Sequence, residues 1–266
     1  MEAPSEPVFL RAGFGGYEIL LDSLGGRDLV AREFFEGRFE RPLPAVFAEM
    51  VKQTEGGFVD VGANNGLYSL IAARLRPDLA IDAFEPFPPV LDVLRRNIAK
   101  NALSDRIRIH EMALSDAAGR AALHIPTTNY GLLDTSCTLQ DDFQPWEQTI
   151  DIARQRLDDV ALAVPPGIIK ADIEGHEHAF IAGAWDTLTR CRPLLIVEVL
   201  RPARLDILET QCRELGFVDI RLQPETAIVG TPVVFDLIAW NHVWVPPEGL
   251  DRFLGMLRVL GIAITA

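Results

Sequence analysis

The sequence predicts an α/β fold in which a mostly parallel sheet carries helices on both faces. From Gly57 onward, short β-branched runs alternate with longer segments of helical periodicity, an order typical of parallel strands joined by helices. A glycine-rich turn follows the first of these strands, and an acidic residue ends the second. The β-rich run 233–245 predicts a late strand that adds antiparallel to the same sheet.

Each element of this fold has its own sequence signal. Apolar β-branched runs predict strands, and an apolar stripe such as Leu91, Leu94 and Ile98 predicts a helix. The predicted strands are 58–61, 80–85, 106–112, 168–172, 194–199 and 217–222, and the predicted helices are 67–76, 89–101 and 176–188.

The chain divides into three predicted parts. Residues 1–54 are expected to form an N-terminal appendage of a hairpin and a helix near 45–52, residues 55–245 the main domain, and residues 246–266 a C-terminal helix. The segment at about 126–148 is longer than a crossover needs, which predicts an inserted loop over the ligand site between strands 120–125 and 149–154. The apolar face of the last helix could pack on the sheet or form the seam of a homodimer.

The composition indicates a globular protein and restricts its partners. Of 266 residues, 48% are hydrophobic, and the formal net charge is −13. With 25 basic against 38 acidic residues, the chain lacks the basic footprint of a nucleic-acid binder, so we expect a small-molecule partner. Three scattered cysteines argue against disulfides and a thiolate zinc site. Without a leader-like N-terminus or a membrane-length apolar run, we expect a soluble cytoplasmic protein that binds no membrane.

The strongest local signal is the segment DVGANNG at residues 60–66, between the first strand and the first helix. Its glycines allow a tight turn and a close approach of a ligand to the backbone. A dinucleotide is one candidate ligand, but the spacing is GxxxG and not the GxGxxG of pyrophosphate sites. Asp60 would repel a pyrophosphate, whereas it could accept a hydrogen bond from an ammonium group. The loop therefore favours a ligand with an amino acid moiety, such as S-adenosylmethionine.

Glu85 closes the second strand about 20 residues after this loop, where Rossmann-like sheets carry an acid that accepts hydrogen bonds from a ribose diol. Both NAD and S-adenosylmethionine sites use such an acid. Glu85 therefore predicts a nucleoside and does not identify it.

Six blocks in unbroken order resemble the FkbM family of methyltransferases. They span roughly residues 55–200, and a weaker element, GRFE, lies at 37–40. The blocks are FVDVGANNGLYSL at 58–70, FEP at 84–86, ALSD at 113–116, LDD at 157–159, IKADIEGHE at 169–177 and IVE at 196–198. The segment 126–148 and the C-terminal helix depart from the family pattern.

The resemblance implies a class I methyltransferase fold, S-adenosylmethionine as cofactor, and methylation of hydroxyls on polyketides, sugars or other natural products. It also implies a set of cofactor-binding residues, in which 112–114 lie beside the adenine. These residues are Asp60, Gly62, Asn64, Asn65, Gly66, Glu85, Pro86, Met112, Ala113, Leu114 and Asp172.

Asp172 and His176 are the candidate catalytic residues. They lie where the fourth strand ends and a helix begins, and ligands of open α/β sheets bind outside the carboxyl ends of the strands. Methyl transfer needs an aligned hydroxyl and the removal of its proton, and an imidazole of ordinary pKa suits a general base near neutral pH. Asp172 could orient His176 or take the proton itself.

A divalent metal ion is a competing interpretation that is not favoured. It would acidify the hydroxyl, but alternate strand residues point to opposite faces, so Asp172 and Glu174 converge only if the chain turns between them. The candidate ligands are Asp172, Glu174, His176, His178 and Glu198.

The function predicted from these residues is an S-adenosylmethionine-dependent methyltransferase, with O-methylation preferred over N-methylation. The alternatives are an NAD(P)-dependent oxidoreductase and a non-catalytic protein that binds S-adenosylmethionine. Tyr130, Phe143 and Trp146 of the inserted loop could wall an acceptor pocket.

Overall fold

The computed structural model describes residues 8–126, 136–230 and 232–265. In chain order its strands are β1 (Phe9–Phe14), β2 (Tyr17–Asp22), β3 (Gly57–Val61), β4 (Ile81–Phe84), β5 (Ile107–His110), β6 (Ala113–Leu114), β7 (Gly119–Pro126), β8 (Trp146–Gln155), β9 (Pro166–Ala171), β10 (Leu194–Glu198), β11 (Val218–Leu222), β12 (Thr226–Val229), β13 (Asn241–Val245) and β14 (Ala263–Thr265).

The helices lie between these strands, together with short 3-10 turns at Leu157–Asp159 and Pro247–Gly249. They are α1 (Leu29–Phe35), α2 (Leu43–Gln53), α3 (Leu67–Leu75), α4 (Pro88–Lys100), α5 (Glu177–Gly183), α6 (Trp185–Cys191), α7 (Leu205–Glu214) and α8 (Leu250–Val259). Within the described ranges, the helices are too short or too polar to cross a membrane.

A nine-stranded sheet forms the centre of the molecule, in the order β14–β12–β11–β13–β10–β9–β3–β4–β5. Strands β10, β9, β3, β4 and β5 run parallel. Strand β13 lies antiparallel between β10 and β11. The predicted α/β fold class is confirmed: the sheet is mostly parallel at its core, with a late antiparallel strand and helices on both faces.

The order in which strands are added reverses between β3 and β9. After β3 the chain adds β4 and β5 on one side, and it later adds β9 and β10 on the other. Ligands of open α/β sheets bind at such a point, outside the carboxyl ends of the strands. The register pairs Val61 with Ala171 here, so the loops that follow these two residues meet at one corner.

Each face of the sheet has its own hydrophobic cluster, because successive strand residues point to opposite faces. Phe58 and Ile168 belong to a cluster with residues of α2, α3, α4 and α8. Val59 and Ile169 belong to a second cluster with residues of α5, α6 and α7. The helices therefore form two layers around the sheet.

The terminal segments share the first cluster. Ile19 of β2 and Leu257 of α8 are buried in it beside the sheet residues. The apolar face of α8 is thus used inside the chain, and β14, which was not predicted, follows it and pairs parallel with β12. The division into 1–54, 55–245 and 246–266 stays a prediction, as does the homodimer.

Two predicted elements are shorter in the structure. In 233–245 only β13 is a strand, because Asp236 folds the preceding segment into a turn by accepting a hydrogen bond from the Ile238 amide at 3.1 Å. The helix predicted at 176–188 is divided into α5 and α6. A Cβ atom on Gly183, the last residue of α5, would overlap the carbonyl oxygen of Ser115, so the chain packs closely where α5 ends.

The two strands predicted on either side of the inserted segment are present as β7 and β8, which pair antiparallel, and β6 extends this pair to a three-stranded sheet. Trp146 is 46% exposed and its ring packs against His124 with centroids 4.8 Å apart, while Phe143 contacts Gly175. Tyr130 lies outside the described residues.

Candidate active site

A cleft of about 670 Å³, counted out to its open mouth, lies at the carboxyl ends of β3, β4 and β9. Its apolar wall includes Phe84, Phe87, Leu123 and Leu139. The predicted site residues that line it are Gly62, Asn64, Glu85, Pro86, Met112, Ala113, Leu114, Asp172 and His176.

The glycine loop forms one edge of this cleft. Gly62 has φ +77° and Asn64 has φ +53°, both in the left-handed region. The Gly62 and Ala63 amides donate to the carbonyl oxygen of Phe84 at 3.0 and 2.9 Å, which ties the loop to the end of β4. A side chain at Gly62 would meet the backbone of Asp172, so this position requires glycine.

Glu85 links the glycine loop to the start of α4. Its Oε2 accepts a hydrogen bond from the Asn64 amide at 3.0 Å, and its Oε1 accepts one from the Phe87 amide at 2.9 Å. A carboxylate has about four acceptor positions, so each oxygen of Glu85 can still accept a hydrogen bond from a ligand hydroxyl. Burial raises the pKa of Glu85 to about 7, against the effect of the two amide hydrogen bonds.

Three of the predicted cofactor residues lie behind the cleft. Asp60 accepts a hydrogen bond from Ser69 Oγ at 2.6 Å and is buried beneath α3, because its strand position points it away from the cleft. Asn65 Nδ2 donates to Asp28 at 3.0 Å. Gly66 starts α3, and a Cβ there would stand 2.5 Å from Leu94. In the structure these residues shape the loop, and their contact with a cofactor stays a prediction.

His176 lines the cleft, but Asp172 does not orient it. The Nε2 atom of His176 lies 2.9 Å from Ser115 Oγ, and the centroid of its ring lies 5.7 Å from that of the His178 ring. Burial, with a contribution from His178, lowers the pKa of His176 to about 4. The imidazole is therefore neutral at physiological pH, and it is a weaker base than a free histidine.

Asp172 pairs with Lys170, which sequence reasoning missed. Lys170 Nζ donates to Asp172 Oδ2 at 2.6 Å, and Lys170 is only 2% exposed. Burial alone would lower the pKa of Lys170, but the carboxylates of Asp172, Glu40 and Asp60 outweigh it and raise that pKa. The pKa of Asp172 is lowered because Lys170 outweighs burial. A lysine inside an otherwise apolar strand was the available signal, since buried lysines are paired.

Glu40 and Glu198 complete a carboxylate cluster with Asp172. One oxygen of each of these acids lies within 4.8 Å of the others. The Tyr68 hydroxyl donates a hydrogen bond to Glu40, and burial raises the pKa of Glu40 to about 7. Of the candidate metal ligands, the structure thus joins Asp172 and Glu198 and adds Glu40.

The other candidate ligands take different positions. His176 contacts Ser115, and the carbonyl oxygen of His178 accepts a hydrogen bond from Gln211 Nε2 at 2.8 Å. Glu174 has φ +57°, which turns the chain between Asp172 and the helix. This turn directs the two histidines away from the carboxylate cluster.

A comparison with known families finds one matching domain. The family described as "Methyltransferase FkbM domain" matches residues 60–218, more than half of the chain. Among solved structures, the methyltransferase FkbM from Methylobacillus flagellatus KT has a TM-score of 0.48 and 17% identity over 71% of this chain and 43% of that chain.

Two curated relatives are similar to parts of the chain. The methyltransferase sdnD of Sordaria araneosa is 35% identical over 118 residues, which cover 44% of this chain and 43% of that protein. The 2-O-methyltransferase NoeI of Sinorhizobium fredii is 28% identical over 180 residues, which cover 60% of this chain and 72% of that protein. The match thus spans less than half of sdnD. By its domain match, the chain belongs to the FkbM methyltransferase family.

Proposed function

We propose that this chain transfers the methyl group of S-adenosylmethionine to a hydroxyl of a small molecule, in the cleft beside Glu85. The observation that carries the proposal is the Glu85 carboxylate, fixed by the Asn64 and Phe87 amides at the cleft wall. A preorganised acid at the end of the second parallel strand suits a ribose diol. Membership of a methyltransferase family supports S-adenosylmethionine over NAD(P) as the nucleoside.

The cleft supports one orientation of this cofactor. The adenine would lie against Met112 and Leu114, and the ribose hydroxyls would donate to Glu85. The methionine end would then lie between the Gly62 turn and Asp172. Because Lys170 keeps the pKa of Asp172 low, this carboxylate stays ionised and attracts the positively charged sulfonium.

The reaction is an in-line displacement. The acceptor oxygen attacks the methyl carbon, the carbon–sulfur bond breaks, and sulfur keeps the electron pair as S-adenosylhomocysteine is released. The main task of the protein is to align oxygen and carbon. The hydroxyl proton leaves as the new bond forms, and neutral His176 lines the cleft where it can accept that proton.

The proposed class of acceptor rests on the names of two relatives and on the net charge of this chain. The relatives include a 2-O-methyltransferase and, over 23% of this chain, a 31-O-demethyl-FK506 methyltransferase from Streptomyces tacrolimicus, both named for oxygen atoms. The net charge of −13 opposes binding to the phosphates of a nucleic acid. Both facts support a small-molecule hydroxyl, and they leave its identity open.

Isothermal titration with S-adenosylhomocysteine and, separately, with NAD tests the cofactor. We expect S-adenosylhomocysteine to bind and NAD not to bind. Glu85→Gln should weaken the binding of S-adenosylhomocysteine by about 10–150-fold, because a hydrogen bond to a charged group contributes about 1.5–3 kcal/mol. Glu214→Gln, an exposed change on α7, is the matched control. Binding of NAD alone would favour the oxidoreductase, and tight S-adenosylhomocysteine binding without turnover on any acceptor would favour the non-catalytic alternative.

A further inference from the structure

We propose that Glu40, Asp172, Glu198 and Asn241 form a binding site for one oxygen-preferring divalent metal ion, such as Mg²⁺ or Mn²⁺, beside the cofactor cleft. The site shares Asp172 and Glu198 with the ligand set that the sequence offered, but it excludes both histidines and adds Glu40 and Asn241 from distant parts of the chain. Its donors are carboxylate and amide oxygens, which suit hard cations.

The positions of the three acids fit a single ion. One carboxylate oxygen from each of Glu40, Asp172 and Glu198 lies within 4.8 Å of the other two. Ligand oxygens on opposite sides of an ion, at bond lengths of about 2.1–2.4 Å, are separated by roughly this distance. The three side chains can therefore coordinate one ion with small adjustments.

The sheet register adds a fourth ligand from β13. Glu198, at the end of β10, pairs directly with Asn241 across the antiparallel ladder, so their side chains lie on the same face. The β9–β10 register pairs Val197 with Ala171, which brings Asp172 next to Glu198 in the same row. Glu40 approaches this row from the segment between α1 and α2.

Two oxygens in this row are buried without a hydrogen-bond donor. Glu198 and Asn241 are each 7% exposed, and Glu198 Oε2 and Asn241 Oδ1 find no donor among the described residues. A buried polar atom without a partner costs free energy, so such atoms in native proteins are satisfied by a bound water, an ion or another ligand. The Asn241 amide oxygen is independent of the acids, and its place in the row beside Glu198 lets it serve as a further ligand of the same ion.

The charge balance also favours a cation. Among the described residues, the cation that pairs with this cluster is Lys170, which donates to Asp172. Glu40 accepts from the neutral Tyr68 hydroxyl, and Glu198 hydrogen-bonds to Asp172 and otherwise faces acids. Three carboxylates thus share one buried cation, and a divalent ion would supply further positive charge as it displaces the protons that these acids otherwise hold.

The place of this ion suggests its use, and this step rests on the proposed function. Asp172 belongs both to the cation site and to the wall of the cofactor cleft. An acceptor hydroxyl that binds the ion would be held near the methyl group, and the ion would make that hydroxyl more acidic.

The test is a binding titration that does not depend on activity. Full-length chain, stripped with a chelator, is titrated with Mn²⁺, and free Mn²⁺ is read from its electron paramagnetic resonance signal. We expect a single saturable site per chain, from which Mg²⁺ displaces Mn²⁺. Glu198→Gln and Asn241→Leu should weaken binding by more than about tenfold. Asn241→Asp, which keeps an oxygen ligand and adds charge, should bind at least as tightly, and Glu214→Gln should bind as the wild type does.

Circular dichroism and thermal unfolding check that each variant folds, and retained or tighter Mn²⁺ binding by Asn241→Asp is a result that a folding defect cannot produce. Absence of saturable Mn²⁺ binding up to about 1 mM, or unchanged affinity in Glu198→Gln, overturns the proposal. S-adenosylhomocysteine is titrated in parallel. If the wild type binds S-adenosylhomocysteine but not Mn²⁺, and Glu198→Gln weakens the binding of S-adenosylhomocysteine, the acids bind the cofactor's ammonium group. Saturable Mn²⁺ binding without S-adenosylhomocysteine binding would instead overturn the proposed function and leave the metal site standing.

Discussion

The carbonyl oxygen of Asp172 occupies the space that a Cβ atom on Gly62 would need, so the glycine loop and the end of β9 touch through their backbones. This contact fixes the distance between the loop that would hold the methionine end of the cofactor and the acid that would face its sulfonium. A change at Gly62 should therefore affect the fold and the cleft together.

Gly62→Ala should lower both stability and cofactor affinity. The left-handed backbone at φ +77° costs alanine about 1–2 kcal/mol, and overlap with Asp172 adds about 1–3 kcal/mol. Urea unfolding measures the total. Gly261→Ala is the control, because Gly261 has φ +76° and no atom within 4 Å of its Cβ position, so only the backbone cost applies. Equal losses in the two variants would show that the contact with Asp172 is unimportant.

The pKa of Glu85 predicts how cofactor binding depends on pH. Because this pKa is raised to about 7, part of the free protein carries a proton on Glu85 at neutral pH, and a ribose diol that donates to Glu85 must displace it. Affinity for S-adenosylhomocysteine should rise as the pH increases from about 5 to 7 and level off above, by up to about tenfold per pH unit. Calorimetry in buffers of different ionisation enthalpy would detect the released proton.

In Glu85→Gln this pH dependence should disappear, because no proton is left to displace. The same pKa affects stability with a defined sign. The folded-state pKa lies above that of a free glutamate, so the stabilisation from protonated Glu85 is complete below about pH 4.5 and is lost as the pH rises through 7. A binding slope that survives in Glu85→Gln would assign the titration to Glu40 or Glu177, whose pKa values are also raised to about 7.

His176→Ala should lower turnover by about 10²–10⁴-fold if His176 accepts the hydroxyl proton. Its pKa of about 4 means that it is neutral above pH 5, so it should add no acidic limb to the rate profile between pH 5.5 and 8. Ser115→Ala removes the hydrogen-bond partner of His176 and keeps the base, so it should lower turnover less. Full activity of His176→Ala would leave alignment as the main source of catalysis.

The depressed pKa of His176 also makes stability depend on pH. An unfolded histidine has a pKa near 6.5, so the unfolded chain binds this proton first as the pH falls. The stabilisation from neutral His176 is therefore complete above pH 6.5 and is lost as the pH falls towards 4. His176→Gln should lose less stability than the wild type between pH 7 and 5 in urea titrations.

The parallel strands of the sheet and the helices between them could be predicted because each shows the periodicity of apolar residues that is typical of its own type. Glu85 was identified as a ribose-binding candidate because a strand end and its distance from a glycine loop are both visible in one stretch of sequence. Asp60 was expected at the ligand; in the structure its carboxylate accepts a hydrogen bond from Ser69 of α3, and its contact with a cofactor stays a prediction. The face to which a strand residue points depends on register, and register is set by partners outside the local segment.

The carboxylate cluster could not be predicted for the same reason. Glu40 precedes the sheet, and Asn241 lies in a strand that enters between β10 and β11 late in the chain. Their meeting with Glu198 depends on long-range pairing, which has no signal in a single sequence. Lys170 is recognisable in the sequence as a charged residue in an apolar strand, but its ion pair with Asp172 is not.

Lys170→Met should reveal how strongly this cluster depends on its lysine. Removing the buried cation leaves Asp172, Asp60 and Glu40 without its charge, which should cost about 3–5 kcal/mol of the free energy of unfolding at pH 8. The loss should be smaller at pH 5, because Glu40, with its pKa raised to about 7, binds a proton and removes one repulsive charge. Urea unfolding at both pH values measures the difference. Lys52→Met is the matched control: Lys52 forms an exposed ion pair with Glu49, so its loss should cost at most about 1 kcal/mol at either pH. If Lys170→Met were as stable as Lys52→Met at pH 8, the acids would not depend on the charge of Lys170.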